Sequence, residues 1–93
     1  MKDRITPDNW TIDDGKLYRR YVFAGFPEAM AFMLRCAFLA EKADHHPEWL
    51  NVYNRVEVWL TTHDAGSLTQ KDYDLANAFE EVWRQMGTGG ATA

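Results

Sequence analysis

The residues best suited to chemistry in this chain are three histidines, His45, His46 and His63. Imidazole gives and takes protons near neutral pH and also ligates metals. His45 and His46 are adjacent, within Glu41-Lys42-Ala43-Asp44-His45-His46-Pro47-Glu48-Trp49. Neighbouring residues do not share a face on a regular helix or strand. In a turn between a helix end and a strand that restriction relaxes, and both rings can face one cleft. His63 ends the β-like run that follows. If a second hairpin folds that run back, His63 returns near the same helix end.

Three chemistries are open to such a cluster. Three imidazoles can hold a zinc ion. Against this, the spacing lacks the i,i+4 His pair of a helical metal site, and no cysteine cluster accompanies it. The rings can act as acid and base on a neutral organic substrate. They can also simply hydrogen-bond to backbone in turns, which is the usual fate of a single histidine. Spacing alone leaves all three open. The aromatics Trp10, Tyr21, Trp49, Trp59 and Trp83 could stack on a flat heterocycle, yet their strand and helix spacing suits core or interface. Trp59, on the more polar face of its strand, is the one that a monomer core explains least. Asp72 reads by itself as a helix-dipole residue.

Two hairpins and two helices have to position these groups. Trp10 to Ala24 is expected to be a β-hairpin turning at Asp13-Asp14-Gly15-Lys16, because Asp-Gly accepts the positive φ angles of a tight turn. One face carries Leu17, Arg19, Tyr21 and Phe23; the other carries Tyr18, Arg20, Val22 and Ala24. Gly25-Phe26-Pro27-Glu28 starts a helix, with Pro near the first helical position and an acid at the positive end of the dipole. From Ala29 to Lys42, the residues Met30, Met33, Leu34, Ala37, Phe38 and Glu41 follow a helical stripe. Phe32 and Leu39 fall partly outside it, so the helix is expected to be covered on more than one side. Asp44 to Pro47 stops it, since Pro47 disfavours helix at His46 and cannot continue one.

Leu50-Asn51-Val52, a turn at Tyr53-Asn54, and the alternation of Val56, Val58 and Leu60 with polar neighbours give the second hairpin. His63 to Leu68 reads as a loop. Thr69 suits an N-cap, with Asp72 three residues on in a variant of the capping box. Tyr73, Ala76, Phe79, Val82, Trp83 and Met86 form the stripe of the last helix, and Gly87 suits its C-cap. The order ββαββα implies an α+β, two-layer domain: a four-stranded antiparallel sheet with helices packed on one face. Residues 1–9 read as a short, frayed N-terminal extension, 10–87 as the domain and 88–93 as a flexible tail.

Composition narrows the partners. At 93 residues the chain suits one domain. Its 46% hydrophobic content supports a packed core. A net charge of −4 with no Lys/Arg run argues against nucleic-acid and anionic-membrane partners. The single cysteine, Cys36, lies in an apolar segment and excludes an intrachain disulfide. No apolar stretch follows Met1-Lys2-Asp3-Arg4 and no run reaches the length of a membrane span, so a cytoplasmic protein is expected.

Over Trp10 to Met86 the chain resembles the pterin-4a-carbinolamine dehydratase family. The family pattern runs from an acid through three positions to His-His-Pro, then an aromatic, a His and an Asp. Glu41, His45-His46-Pro47, Tyr53, His63 and Asp72 meet it with the gaps intact. Glu41-Lys42, Asp44 to Trp49, Asn51-Val52-Tyr53-Asn54 and Thr62-His63 also read as family sequence. Many members carry a fuller N-terminal helix than Met1 to Asn9 can supply. The resemblance implies a dehydratase (hydro-lyase) without metal or cofactor. Its reaction removes water from 4a-hydroxytetrahydropterin to give quinonoid dihydropterin, recycling the tetrahydrobiopterin used by aromatic amino-acid hydroxylases. It implies His45, His46 and His63 as catalytic residues around the pterin, with Pro47 and Asp72 also contributing to binding and Glu41 and Trp49 in support. It further implies a homodimer or homotetramer. Some animal members are dimerisation cofactors of a homeodomain transcription factor, a role that no motif residue here carries. The alternative on the same fold is a non-catalytic pterin-binding or regulatory interaction module.

Overall fold

The computed structural model describes residues 4–86. Among them the elements run β1 (Thr11–Asp13), β2 (Lys16–Val22), α1 (Phe26–Ala43), β3 (Glu48–Val52), β4 (Arg55–Leu60), a 3-10 turn at His63–Ala65, and α2 (Gln70–Met86). The strands form one antiparallel sheet in the order β1-β2-β4-β3. This is the expected two-layer α+β arrangement. The anticipated cap at Gly87, the tail at 88–93 and the start of the extension, Met1–Asp3, lie outside the described residues. Residues 4–9 contain neither helix nor strand, and the Arg4 guanidinium donates to the Leu68 carbonyl at 3.3 Å. No helix among the described residues is long and apolar enough to cross a membrane.

Turn chemistry sets the hairpins. Asp14 and Gly15 both take positive φ, 51° and 77°, as an Asp-Gly hairpin turn requires. At the second turn the left-handed residue is Tyr53 (φ 50°), with Asn54 outside the positive-φ set. Asn54 instead docks the turn: its side-chain amide donates to the Phe23 carbonyl at 2.9 Å, and the Phe23 N–H donates to its carbonyl at 2.8 Å. Register then places Leu17 opposite Leu60, Arg19 opposite Val58 and Tyr21 opposite Val56. All six are buried on the same face of the sheet, against Phe32, Cys36 and Phe79 from the helices. Burying a large apolar side chain of this kind contributes about 1.5–3 kcal/mol. Burial also raises the pKa of the Cys36 thiol, which keeps it protonated and unreactive.

The core face of α1 differs from the stripe expected. Ala29, Phe32, Cys36 and Ala40 face the sheet, while Met30, Leu34 and Phe38 are exposed. The helix is apolar nearly all round, so periodicity gives two acceptable faces. Packing takes the one whose small residues, Ala29, Cys36 and Ala40, let the helix approach the sheet.

The core also holds a polar hub. Glu80 of α2 is buried and accepts from Arg19 at 2.9 and 3.0 Å, from Trp10 Nε1 at 2.9 Å and from the Tyr21 hydroxyl. The Arg19 guanidinium carbon lies 4.2 Å from the centroid of the Tyr21 ring. Burial and the Glu80 charge together hold the Tyr21 phenol far above its usual range, so it stays a donor. Three side chains from two segments thus satisfy one buried carboxylate. Glu80→Ala is expected to lower unfolding free energy by about 3–5 kcal/mol, because Arg19 would be left buried and unpaired; urea denaturation at pH 7 measures this.

Candidate active site

The end of α1 is built to present His45. Asp44 adopts the left-handed conformation (φ 52°, ψ 43°), which Asp tolerates better than most residues. The His45 N–H then donates back to the Ala40 carbonyl at 3.0 Å, and the Asp44 N–H to the Glu41 carbonyl at 3.1 Å. This closes the helix in a Schellman-like cap, and Pro47 prevents its resumption.

His45 turns inward onto Asp72, the third residue of α2. Nε2 lies 2.6 Å from Asp72 Oδ1, with the carboxylate fully buried. The other oxygen, Oδ2, accepts from the Thr62 hydroxyl at 2.8 Å and the Thr69 N–H at 2.9 Å. The latter bond is the reaching-back arm of a capping box. The Thr69 hydroxyl leaves its capping role and lies 2.7 Å from Thr62 Oγ1. Thr62 has spent its proton on Asp72, so Thr69 is the donor in that contact.

The other two rings repeat the pairing in more open surroundings. His46 Nε2 is 2.9 Å from Glu41 Oε1, and both side chains are exposed. His63 Nε2 is 3.0 Å from Glu48 Oε2. The second Glu48 oxygen accepts from Lys16 at 2.8 Å. The hydrogen bond to Lys16, above all, and that to His63 hold the Glu48 carboxyl below its ordinary range. Each histidine therefore meets a carboxylate through Nε2. An ionised carboxylate only accepts, so neutral rings carry their proton on Nε2 and keep the lone pair on Nδ1.

His45, His46, Pro47 and His63 line one hollow of about 350 Å³, with Asp44, Glu48, Thr61, Thr62, Asp64 and Lys71. Asp72 lies behind its wall, touching the hollow only through His45 and Thr62. Glu41 also stays outside the lining and reaches the site by its bond to His46. Trp49 is not brought to the hollow: its ring stacks on Phe79 at 6.2 Å in the core. Of the other aromatics considered for stacking, Trp10 and Tyr21 are buried and Trp83 packs on Tyr21 and Phe23. Trp59 lies on the outer face of the sheet, 5.2 Å from Tyr18. Among the described residues, no group of three or more His, Cys, Asp and Glu side chains is placed to hold a metal ion. Thr62 stood out only as family sequence beside His63, and Lys71 not at all, because nothing local marks a threonine or lysine as lining a cleft.

The scaffold is thus a two-layer α+β domain carrying a cleft of carboxylate-paired histidines. The profile of the family described as pterin 4 alpha carbinolamine dehydratase matches residues 1–82. A relative from Rhodopseudomonas palustris (strain HaA2), provisionally named a pterin-4-alpha-carbinolamine dehydratase, is 54% identical over 80 residues, covering 84% of this chain and 79% of its own. One from Solibacter usitatus (strain Ellin6076) with the same provisional name is 57% identical over 67 residues, covering 72% and 70%. A crystal structure from Brucella melitensis, described as a transcriptional coactivator/pterin dehydratase, superposes with a TM-score of 0.77 at 42% identity, covering 81% of this chain and 82% of that one. The chain belongs to the pterin-4-alpha-carbinolamine dehydratase family.

The two extremes of pairing differ in what they contribute. Asp72→Asn sets an NH₂ against a cluster of donors and is expected to lower stability by about 1–3 kcal/mol. Glu41→Gln, in an exposed pair, should leave the urea midpoint within error of wild type.

Proposed function

We propose that the protein dehydrates 4a-hydroxytetrahydropterin to quinonoid dihydropterin, with His45, His46 and His63 as the groups that move protons. The observation that carries this reading is one hollow lined by three imidazoles, each paired through Nε2 with a carboxylate. Family membership supplies the substrate class. In the reaction the C4a–O bond breaks, and the leaving oxygen takes a proton from an imidazolium and departs as water. A ring N–H proton passes to a neutral imidazole as the C=N bond forms. The two steps need one protonated and one neutral ring, which histidines supply together near neutral pH.

His45 and His46 are assigned to the 4a-hydroxyl, and His63 to binding and a share of the proton transfer. Pro47, in the wall, shapes the cleft beside the substrate. Asp72 positions His45, and Glu41 positions His46. Trp49 supports the site only indirectly, by fixing the start of β3 on the core. The chemistry calls for no metal or cofactor, and recycling of the pterin used in aromatic hydroxylation is the role that follows.

The test is turnover of 4a-carbinolamine generated in situ. Wild type should be active with and without chelator. His45→Gln keeps a donor for Asp72 but cannot carry a proton, and it should lose at least about 100-fold in kcat. His46→Ala should lose a comparable factor. A wild-type protein that binds the pterin without dehydrating it would instead be an interaction module.

The reading extends to a homo-oligomer. Met30, Leu34 and Phe38 form an exposed apolar row on α1, with Phe38 68% exposed. Leu50 and Val52 are exposed on β3, an edge strand. Both surfaces suit burial against another copy of the chain. Light scattering should give the mass of a dimer or tetramer, and Leu34→Glu with Phe38→Glu should reduce it.

A further inference from the structure

The third histidine is held differently from the other two. His45 is fixed by a buried partner. His46 meets Glu41 in a pair open to solvent, with side chains 60% and 79% exposed. His63 is itself 72% exposed, but its partner is anchored. Glu48 is the first residue of β3, and β4 lies between it and β2, whose first residue is Lys16. Lys16 Nζ reaches Glu48 Oε1 at 2.8 Å, while Oε2 faces His63 Nε2 at 3.0 Å. Each carboxylate oxygen thus has one partner, and the lysine restrains the rotation that would carry the other oxygen away from the ring.

We propose that Glu48, braced by Lys16, is a positioning residue that sets the orientation and tautomer of His63 for the ligand in the histidine-lined hollow. The proposal rests on the dehydratase reading for its kinetic part only. An exposed imidazole with no partner samples several rotamers and both neutral tautomers, and ordering it on binding costs affinity. The braced carboxylate removes that freedom beforehand. It keeps the proton on Nε2 and leaves Nδ1 as the atom available to the ligand. The depressed pKa of Glu48 is consistent with an acceptor that stays ionised across the neutral range. A cross-strand ion pair serving only the sheet would make no demand on His63, and this gives the competing account a distinct signature.

The test is a double-mutant cycle on the full chain with 4a-carbinolamine as substrate, joined to ¹⁵N NMR of the His63 ring. Glu48→Ala should lower kcat/KM about tenfold in the wild-type background and less than twofold when His63 is already Ala. Glu48→Gln keeps one acceptor and should recover part of the loss. Lys16→Met should lose less than Glu48→Ala. In the NMR measurement the Nε2–H tautomer of His63 should be more populated in wild type than in Glu48→Ala. Equal losses in both backgrounds, or none in either, would overturn the proposal, as would an unchanged tautomer ratio. If wild type does not turn over the carbinolamine, the dehydratase reading fails, and the tautomer ratio alone still decides whether Glu48 positions the ring.

Discussion

The site depends on one buried carboxylate. Asp72 sits where three segments meet: the cap of α1 through His45, the end of β4 through Thr62, and the start of α2 through the Thr69 N–H. A charge at full burial is costly unless its oxygens are satisfied, and here they accept three hydrogen bonds from three directions. Satisfying the charge therefore fixes the junction. The same bonds that cap a helix also fix a histidine ring, so local secondary structure and site geometry are one set of contacts.

Glu80 repeats the strategy in the middle of the core. Its partners come from the N-terminal hairpin, and the bonds tie α2 to β2 and to Trp10. Such a hub adds little net stability beyond what an apolar packing could offer, but it is costly to break. It also selects a register, since Arg19 and Tyr21 must both reach the same carboxylate. With Asp72 at one end of α2 and Glu80 toward the other, the helix is held to the sheet side by directional bonds as well as by the apolar contacts of Tyr73, Ala76 and Phe79.

The two exposed pairs, His46–Glu41 and His63–Glu48, belong to a different regime. Water screens them, and each contributes little to folding. They differ in their anchorage: Glu41 and His46 are both open to solvent, whereas Glu48 is also held by Lys16. A single cleft therefore contains one ring paired with a buried carboxylate and two paired with carboxylates nearer the surface. The apolar row on α1 and the uncovered β3 edge show a related division: the monomer spends one face of each element on its own core and leaves another free.

Much was legible before any tertiary structure. The Asp14-Gly15 turn, the period of two in β4 and the helix stop at Asp44 to Pro47 are encoded within a few residues, because allowed φ angles, side-chain alternation and the geometry of proline are local properties. The gaps from Glu41 to His45-His46-Pro47, His63 and Asp72 carried the family. Three things were not legible. The core face of α1 could not be chosen, since a helix apolar all round offers the sheet more than one acceptable stripe. The left-handed residue of the second turn was Tyr53, although Asn54 is the better former, because docking to Phe23 claimed the asparagine. The pairing of carboxylates with rings was also hidden, although Glu41 and Asp72 were already expected at the site: Asp72, Glu41 and Glu48 stand 27, 5 and 15 positions from their histidines, and Glu80 stands 61 from Arg19. The sequence by itself determined the local turns and the helix stop that set the candidate histidines where α1 ends. The tertiary structure alone decided which charge meets which ring, because that choice exists only once the strands are in register and α2 has closed over them.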